Sequence, residues 1–220
     1  MERFLLDTIP ILVTTDEIIK TLQLNEEEDI QLMTGLFTTA RQLARPKALY
    51  KVAYIDEINN PHVVVDGVRF TSSVLAQNME GVHRVFAYVC TCGTEVDDWS
   101  HTEKDYVVSF WLDIIKERIL ADANIFLRDY IKKKYGINTL SAINPGSGNV
   151  DTWPITQQHQ LFPLIGAVTE DTGVRLTESC LMLPTKSTSG LLYGSATEFI
   201  NCSLCERKNC PRRRAEYTPA

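Results

Sequence analysis

The sequence predicts an α+β domain built on a mainly antiparallel, twisted sheet with helices packed against it. Three observations carry this. Strand-like and helix-like segments mix without the strict β-α alternation that a parallel sheet requires. Asp66-Gly67 stands between two apolar runs, where a tight hairpin turn belongs. The stretch from Thr102 to about Tyr135 holds neither Gly nor Pro and ends in Lys132, Lys133, Lys134 and Gly136, as helix C-termini prefer.

In chain order, MERFLLDTIPILV is apolar but interrupted by Glu2, Arg3, Asp7 and Pro10, so it reads as a first core strand rather than a leader or membrane span. Thr15 begins TDEIIKTLQL and Asn25 opens NEEEDIQLMTGLFTTARQLA, two helices with acids in their first turns. ALYKVAYI and HVVVDGVRF read as strands, Ser72 or Ser73 as the cap of a short helix through VLAQNM, and VHRVFAYVC, residues 82–90, as the most strand-like run. After the long helix, SAINPGSGNV reads as a loop by its Pro and Gly content. QLFPLIGAVTED reads as a short helix with an early Pro163, and VRLTESCLML and SGLLYG as two further strands.

The chain has 220 residues, 44% of them hydrophobic, enough to bury a full core, and one domain over residues 1–200 with an appended tail over 201–220 is expected. A net charge of −6, with a basic cluster at the tail (Arg207, Lys208, Arg212, Arg213, Arg214), gives nucleic-acid binding little electrostatic support. With no signal peptide or membrane span in the sequence, a cytoplasmic location is expected. In that reducing compartment the six cysteines argue against a disulfide framework.

Two places invite chemistry. On the long helix Val108, Trp111, Ile115, Ile119 and Phe126 share one face, and Asp122 falls on that same face. Burying a carboxylate is costly unless it is paired, so Asp122 either has a structural partner or lines a polar ligand site. In the loop SAINPGSG, Gly146 and Gly148 permit backbone to approach a ligand closely, or simply serve a turn. Thr177, Glu178 and Ser179 stand among apolar residues, which a half-exposed strand would also explain.

From the long helix at about residue 103 to Phe199 the chain resembles the AdoMet-binding reductive activation domain of cobalamin-dependent methionine synthase. The resemblance rests on LTES at Leu176 to Ser179, then Met182, Pro184 and STSGLLY at Ser187 to Tyr193, preceded by Pro145-Gly146. It implies that domain's fold. It also implies reactivation of an oxidised cobalt(II) corrinoid by one electron together with a methyl group from S-adenosylmethionine. Asp122, Pro145, Gly146, Glu178, Ser189 and Gly190 are the implied cofactor-binding residues. The family's loop reads Arg-x-x-Pro-Gly-Tyr, whereas this chain has Ala142 and Ser147 at the Arg and Tyr positions. Losing that charge-assisted contact with the ligand carboxylate is worth about 1.5–3 kcal/mol, so weaker binding is expected.

The tail NCSLCERKNCPRRR departs from the family. Cys202 and Cys205 have C-x2-C spacing, and Cys210-Pro211 adds a third thiol, a pattern that suits zinc or an iron–sulfur cluster, with Cys180, Cys92 or Cys90 as a possible fourth ligand. A cluster would supply the electron that the resemblance calls for. The expected function is therefore a reactivation or electron-delivery subunit for a separate corrinoid-binding protein or methyltransferase, with cobalamin held by that partner. The rival is a non-catalytic docking module with a structural zinc tail.

Overall fold

The structure, a computed structural model, describes residues 2–147, 152–207, 209–210 and 213–218. Gly148, Lys208, Pro211 and Arg212, singled out in the sequence, lie outside the described residues.

The sheet is antiparallel at every pairing. β1 (Arg3–Leu6) and β3 (His62–Val65) share one edge of the long β2 (Lys47–Asn59), and a bulge between Ile55 and Glu57 bends β2 where β3 begins. The order then runs β4 (Val68–Thr71), β3, β2, β5 (Arg84–Thr91), β9 (Ser187–Gly194), β6 (Leu140–Ile143), with β7 (Arg175–Leu176) and β8 (Met182–Leu183) forming a separate small hairpin. Asp66-Gly67 makes the β3–β4 turn, with Asp66 and Gly67 both at positive φ.

Both sheet faces are covered, which is why β5 is buried along nearly its whole length. Leu49, Ala87, Val89 and Leu191 face a core made with α3 (Ser73–Asn78), α6 (Gln158–Ile165) and α7 (Val168–Thr172). Tyr50, Phe86, Tyr88, Cys90 and Leu192 face the long helix α5 (Tyr106–Tyr135) through Ala123, Leu127 and Ile131. The first half of α5 uses Trp111, Leu112, Ile115 and Ile119 to pack on α1 (Thr15–Leu22), α2 (Glu27–Leu43) and α4 (Thr94–Ser100).

Local chemistry sets the ends. Thr14 caps α1 in a reciprocal box with Glu17, and Ser72 caps α3. The long helix starts at Tyr106, because Asp105 accepts from the N–H groups of Val107 and Val108, and it ends at Gly136 in the left-handed region. Several expectations are corrected. The SAINPGSGNV loop begins as strand β6, which takes the exposed edge of β9. VRLTESCLML is a two-residue hairpin folded about a turn at Thr177 to Cys180, not one strand. Pro163 lies within α6 rather than at its start, and Gly166-Ala167 divide the QLFPLIGAVTED run into α6 and α7. No helix among the described residues is long and apolar enough to cross a membrane.

Candidate functional site

A cleft of about 450 Å³ opens between the second half of α5 and the β9–β6 edge of the sheet. That volume falls in the range typical of small-molecule sites. Ala121, Asn124, Ile125 and Arg128 line it from the helix, recurring at the three- and four-residue steps of one helical stripe. Thr188 and Leu192 of β9, Tyr88 of β5, Ala142 of β6 and Asn144 just after it form the floor, and Glu198 and Arg214 complete the rim.

Asn144 is the keystone of the floor. Its amide Nδ2 donates to the Tyr88 hydroxyl at 2.8 Å and to the Ser189 carbonyl at 2.7 Å, while its Oδ1 accepts from Asn201 at 3.1 Å. The amide can approach this closely because β9 offers Gly190 beneath it: a Cβ there would stand 2.5 Å from both Asn144 Nδ2 and the Ile143 carbonyl. Tyr88 pairs with Gly190 across the β5–β9 ladder, and its burial pushes the phenol pKa up, so the hydroxyl keeps its proton at neutral pH.

Charge gathers at the rim. Arg128 reaches from α5 to the sheet, where Nη2 donates to the Leu140 carbonyl at 2.5 Å and to Glu198 Oε1 at 2.6 Å. Leu140 is two residues before Ala142 on β6. Glu198 is held in place because the chain after β9 folds back over β6: Ser141 Oγ lies 2.7 Å from Ser195 Oγ and accepts from the Phe199 N–H at 2.7 Å. Arg214 is exposed and enters from the tail.

The residues expected from the sequence fall in three places. Pro145 and Gly146 form the turn beside Asn144, with Gly146 N–H donating to the Trp153 carbonyl at 2.7 Å, and Ser189 and Gly190 lie under Asn144. None of these four is among the cleft-lining residues: they stand behind Asn144, and the Ser189 hydroxyl faces α6, where it donates to Gln158 Oε1 at 3.1 Å. Asp122 lies on the same helix but is turned to the N-terminal segment, where its Oδ2 accepts from the Leu12 and Val13 N–H groups at 2.7 and 2.9 Å. That is the structural partner the sequence left open. Glu178 is exposed in the β7–β8 turn and is not among the cleft-lining residues. Arg128 and Asn144 carried no sequence signal of their own, although the 121, 124, 125, 128 stripe beside the apolar one was available to find Arg128.

The metal expectation meets a different arrangement. Among the described residues no three His, Cys, Asp or Glu side chains gather as a metal would need. The tail instead winds around a guanidinium: Arg213 donates to the carbonyls of Cys202, Cys205, Arg207 and Ala215 at 2.5–3.2 Å. Cys202, Cys205 and Cys210 are partly exposed thiols around it. Of the suggested fourth ligands, Cys180 is buried in the β7–β8 turn, and burial pushes the Cys92 thiol up to about 12 and Cys90 higher still. Among the described residues the tail thiols are therefore not brought together as a zinc or iron–sulfur site.

Residues 118–211, which span the second half of α5, the cleft and much of the tail, match the family model for the activation domain of vitamin B12 dependent methionine synthase. In fold the chain is similar to the crystal structure of the MetH reactivation domain bound to AdoHcy, with a TM-score of 0.62 at 13% identity over 91% of this chain and 81% of that one. No curated protein matches the chain in sequence.

Proposed function

From residues 118–211 that carry the activation-domain pattern of vitamin B12 dependent methionine synthase, within that domain's fold, we infer that this chain binds AdoMet in the α5–β6 cleft and serves the reactivation of a corrinoid. One observation supports this above the others. The segment that resembles the family's AdoMet loop, Ala142 to Gly146, supplies both Ala142 and Asn144 to the walls of the cleft.

The work of the chain's own residues is placement. Asn144, fixed by Tyr88 and Ser189, gives the cleft a rigid polar floor, and Ile125 offers apolar surface for the adenosine body above the buried Leu127 and Leu192. Cobalamin would be the methyl acceptor, held by a corrinoid-binding partner. That partner-held corrinoid would receive one electron from an external reductant and the methyl group from the AdoMet sulfonium, with AdoHcy leaving as the product.

The test uses free cobalamin as probe. The full chain is mixed anaerobically with cob(II)alamin, titanium(III) citrate and AdoMet, and the visible spectrum is followed. Methylcobalamin is expected to form several-fold faster with the chain than without it. A rate that does not depend on the chain contradicts the reading.

A further inference from the structure

We propose that Arg128 and Arg214 together form the carboxylate clamp of this cleft, replacing the loop arginine for which the chain has Ala142, and that Glu198 meets the ligand's α-ammonium. The inference rests on the methyl-donor reading above and specifies how the amino-acid end of the ligand is held.

AdoMet and AdoHcy end in the same amino-acid group, a carboxylate beside an ammonium. Recognition of such an end calls for a guanidinium and a carboxylate a few ångströms apart. The cleft rim offers that pairing: Arg128 and Glu198 stand 2.6 Å apart, and Arg214 adds a second cation to the same wall. Two arginines against one glutamate leave the rim with an excess of positive charge for an incoming carboxylate.

Position agrees with charge. The Arg128 guanidinium is pinned to the Leu140 carbonyl on the same strand as Ala142, so a cation carried by the helix reaches the strand where the loop's own arginine is missing. Ala142 leaves room for it, since both residues line the cleft. Arg128 is anchored by two contacts and has donors to spare on its planar fork. Arg214, exposed on the tail, stands at the same rim. Arg214 thereby gains a role that thiol spacing does not suggest, as one half of the clamp.

The experiment is calorimetric titration of the full chain, as Arg214→Ala, as Arg128→Lys and unaltered, with two ligands. AdoHcy keeps the amino-acid end; 5′-methylthioadenosine lacks it. Arg128→Lys keeps the charge but loses the fork, and its melting temperature checks that the β6 edge remains folded. Each variant is expected to weaken AdoHcy roughly 10- to 100-fold while methylthioadenosine binding stays within about twofold. AdoHcy binding unchanged in both variants overturns the clamp while leaving the methyl-donor reading intact. Equal weakening of both ligands also overturns it, because the arginines would then act on the adenosine end or on the fold. If the unaltered chain binds neither ligand, the methyl-donor reading falls and the clamp falls with it.

Discussion

Replacing Gly190 by alanine is expected to destabilise the chain by about 3 kcal/mol, which for a domain of this size lowers the melting temperature by roughly 6–12 °C. The cause is local. The new Cβ would stand 2.5 Å from the Ile143 carbonyl and from Asn144 Nδ2, so strand β6 or the Asn144 amide must move. If the amide moves, its bonds to Tyr88, Ser189 and Asn201 are lost together, and the floor of the cleft goes with them. Thermal unfolding and AdoHcy titration on the same sample check both parts. A variant that melts normally and binds normally shows that β6 relaxes at no cost and that Asn144 is not the keystone described here.

Substitution of Lys116 by methionine is expected to cost about 3–5 kcal/mol, because it strands a buried carboxylate. Lys116 is 3% exposed, and its ammonium donates to Asp97 and Ser100 at 2.8 Å and pairs with Asp113 at 3.1 Å. Burial disfavours its charge, but the Asp97 and Asp113 carboxylates outweigh burial and hold its pKa above the ordinary lysine value. A raised pKa means that the contribution is complete below the ordinary lysine range and is lost only as pH climbs through the raised value. For Asp113 burial raises the pKa, yet Lys116 and Lys186 more than offset it and hold it low, so its share is lost as pH falls through the depressed value. The penalty should therefore be nearly constant around neutral pH. Chemical denaturation measures it, and adding Asp97→Leu to Lys116→Met should recover most of the loss, since removing both charges leaves none stranded. A single variant as stable as the unaltered chain contradicts the network.

How much of this was legible depends on where each signal lived. The long helix and β9 were plain, because helical periodicity, the Lys132 to Gly136 ending and the apolar run at Leu191 to Tyr193 are local properties. α4 was not, because Gly93 at φ 101 opens it without a side-chain cap and seven residues are too few for a period to emerge. β6 hid behind Pro145 and Gly146, since four residues become a strand there only by pairing with β9, a long-range fact.

The candidate site divides in the same way. Ser189 and Gly190 came through resemblance and lie behind Asn144 rather than in the cleft wall, and Glu178 came by the same route and stands in an exposed turn. Asp122 was read as an acid pointing to the core; it is half-buried, and the pattern could not show that the Leu12 and Val13 N–H groups satisfy it. Arg128 takes its place in the cleft only once β6 lies beside α5, which no spacing along the helix reveals. In the tail, C-x2-C spacing spoke for a metal, while the carbonyls around it are taken up by Arg213, a residue with no motif to announce it.

The account stands on the α5–β6 cleft being where the methyl donor sits, and blocking that cleft tests it most directly. Ala142 is a partly exposed cleft residue at the margin of the α5-facing core, where the family pattern has a large side chain, so Ala142→Trp should fill the cleft. Calorimetric titration with AdoHcy is expected to give one site in the unaltered chain, and no detectable heat of binding in Ala142→Trp at an unchanged melting temperature. AdoHcy bound equally well by both would place the ligand elsewhere and contradict the account.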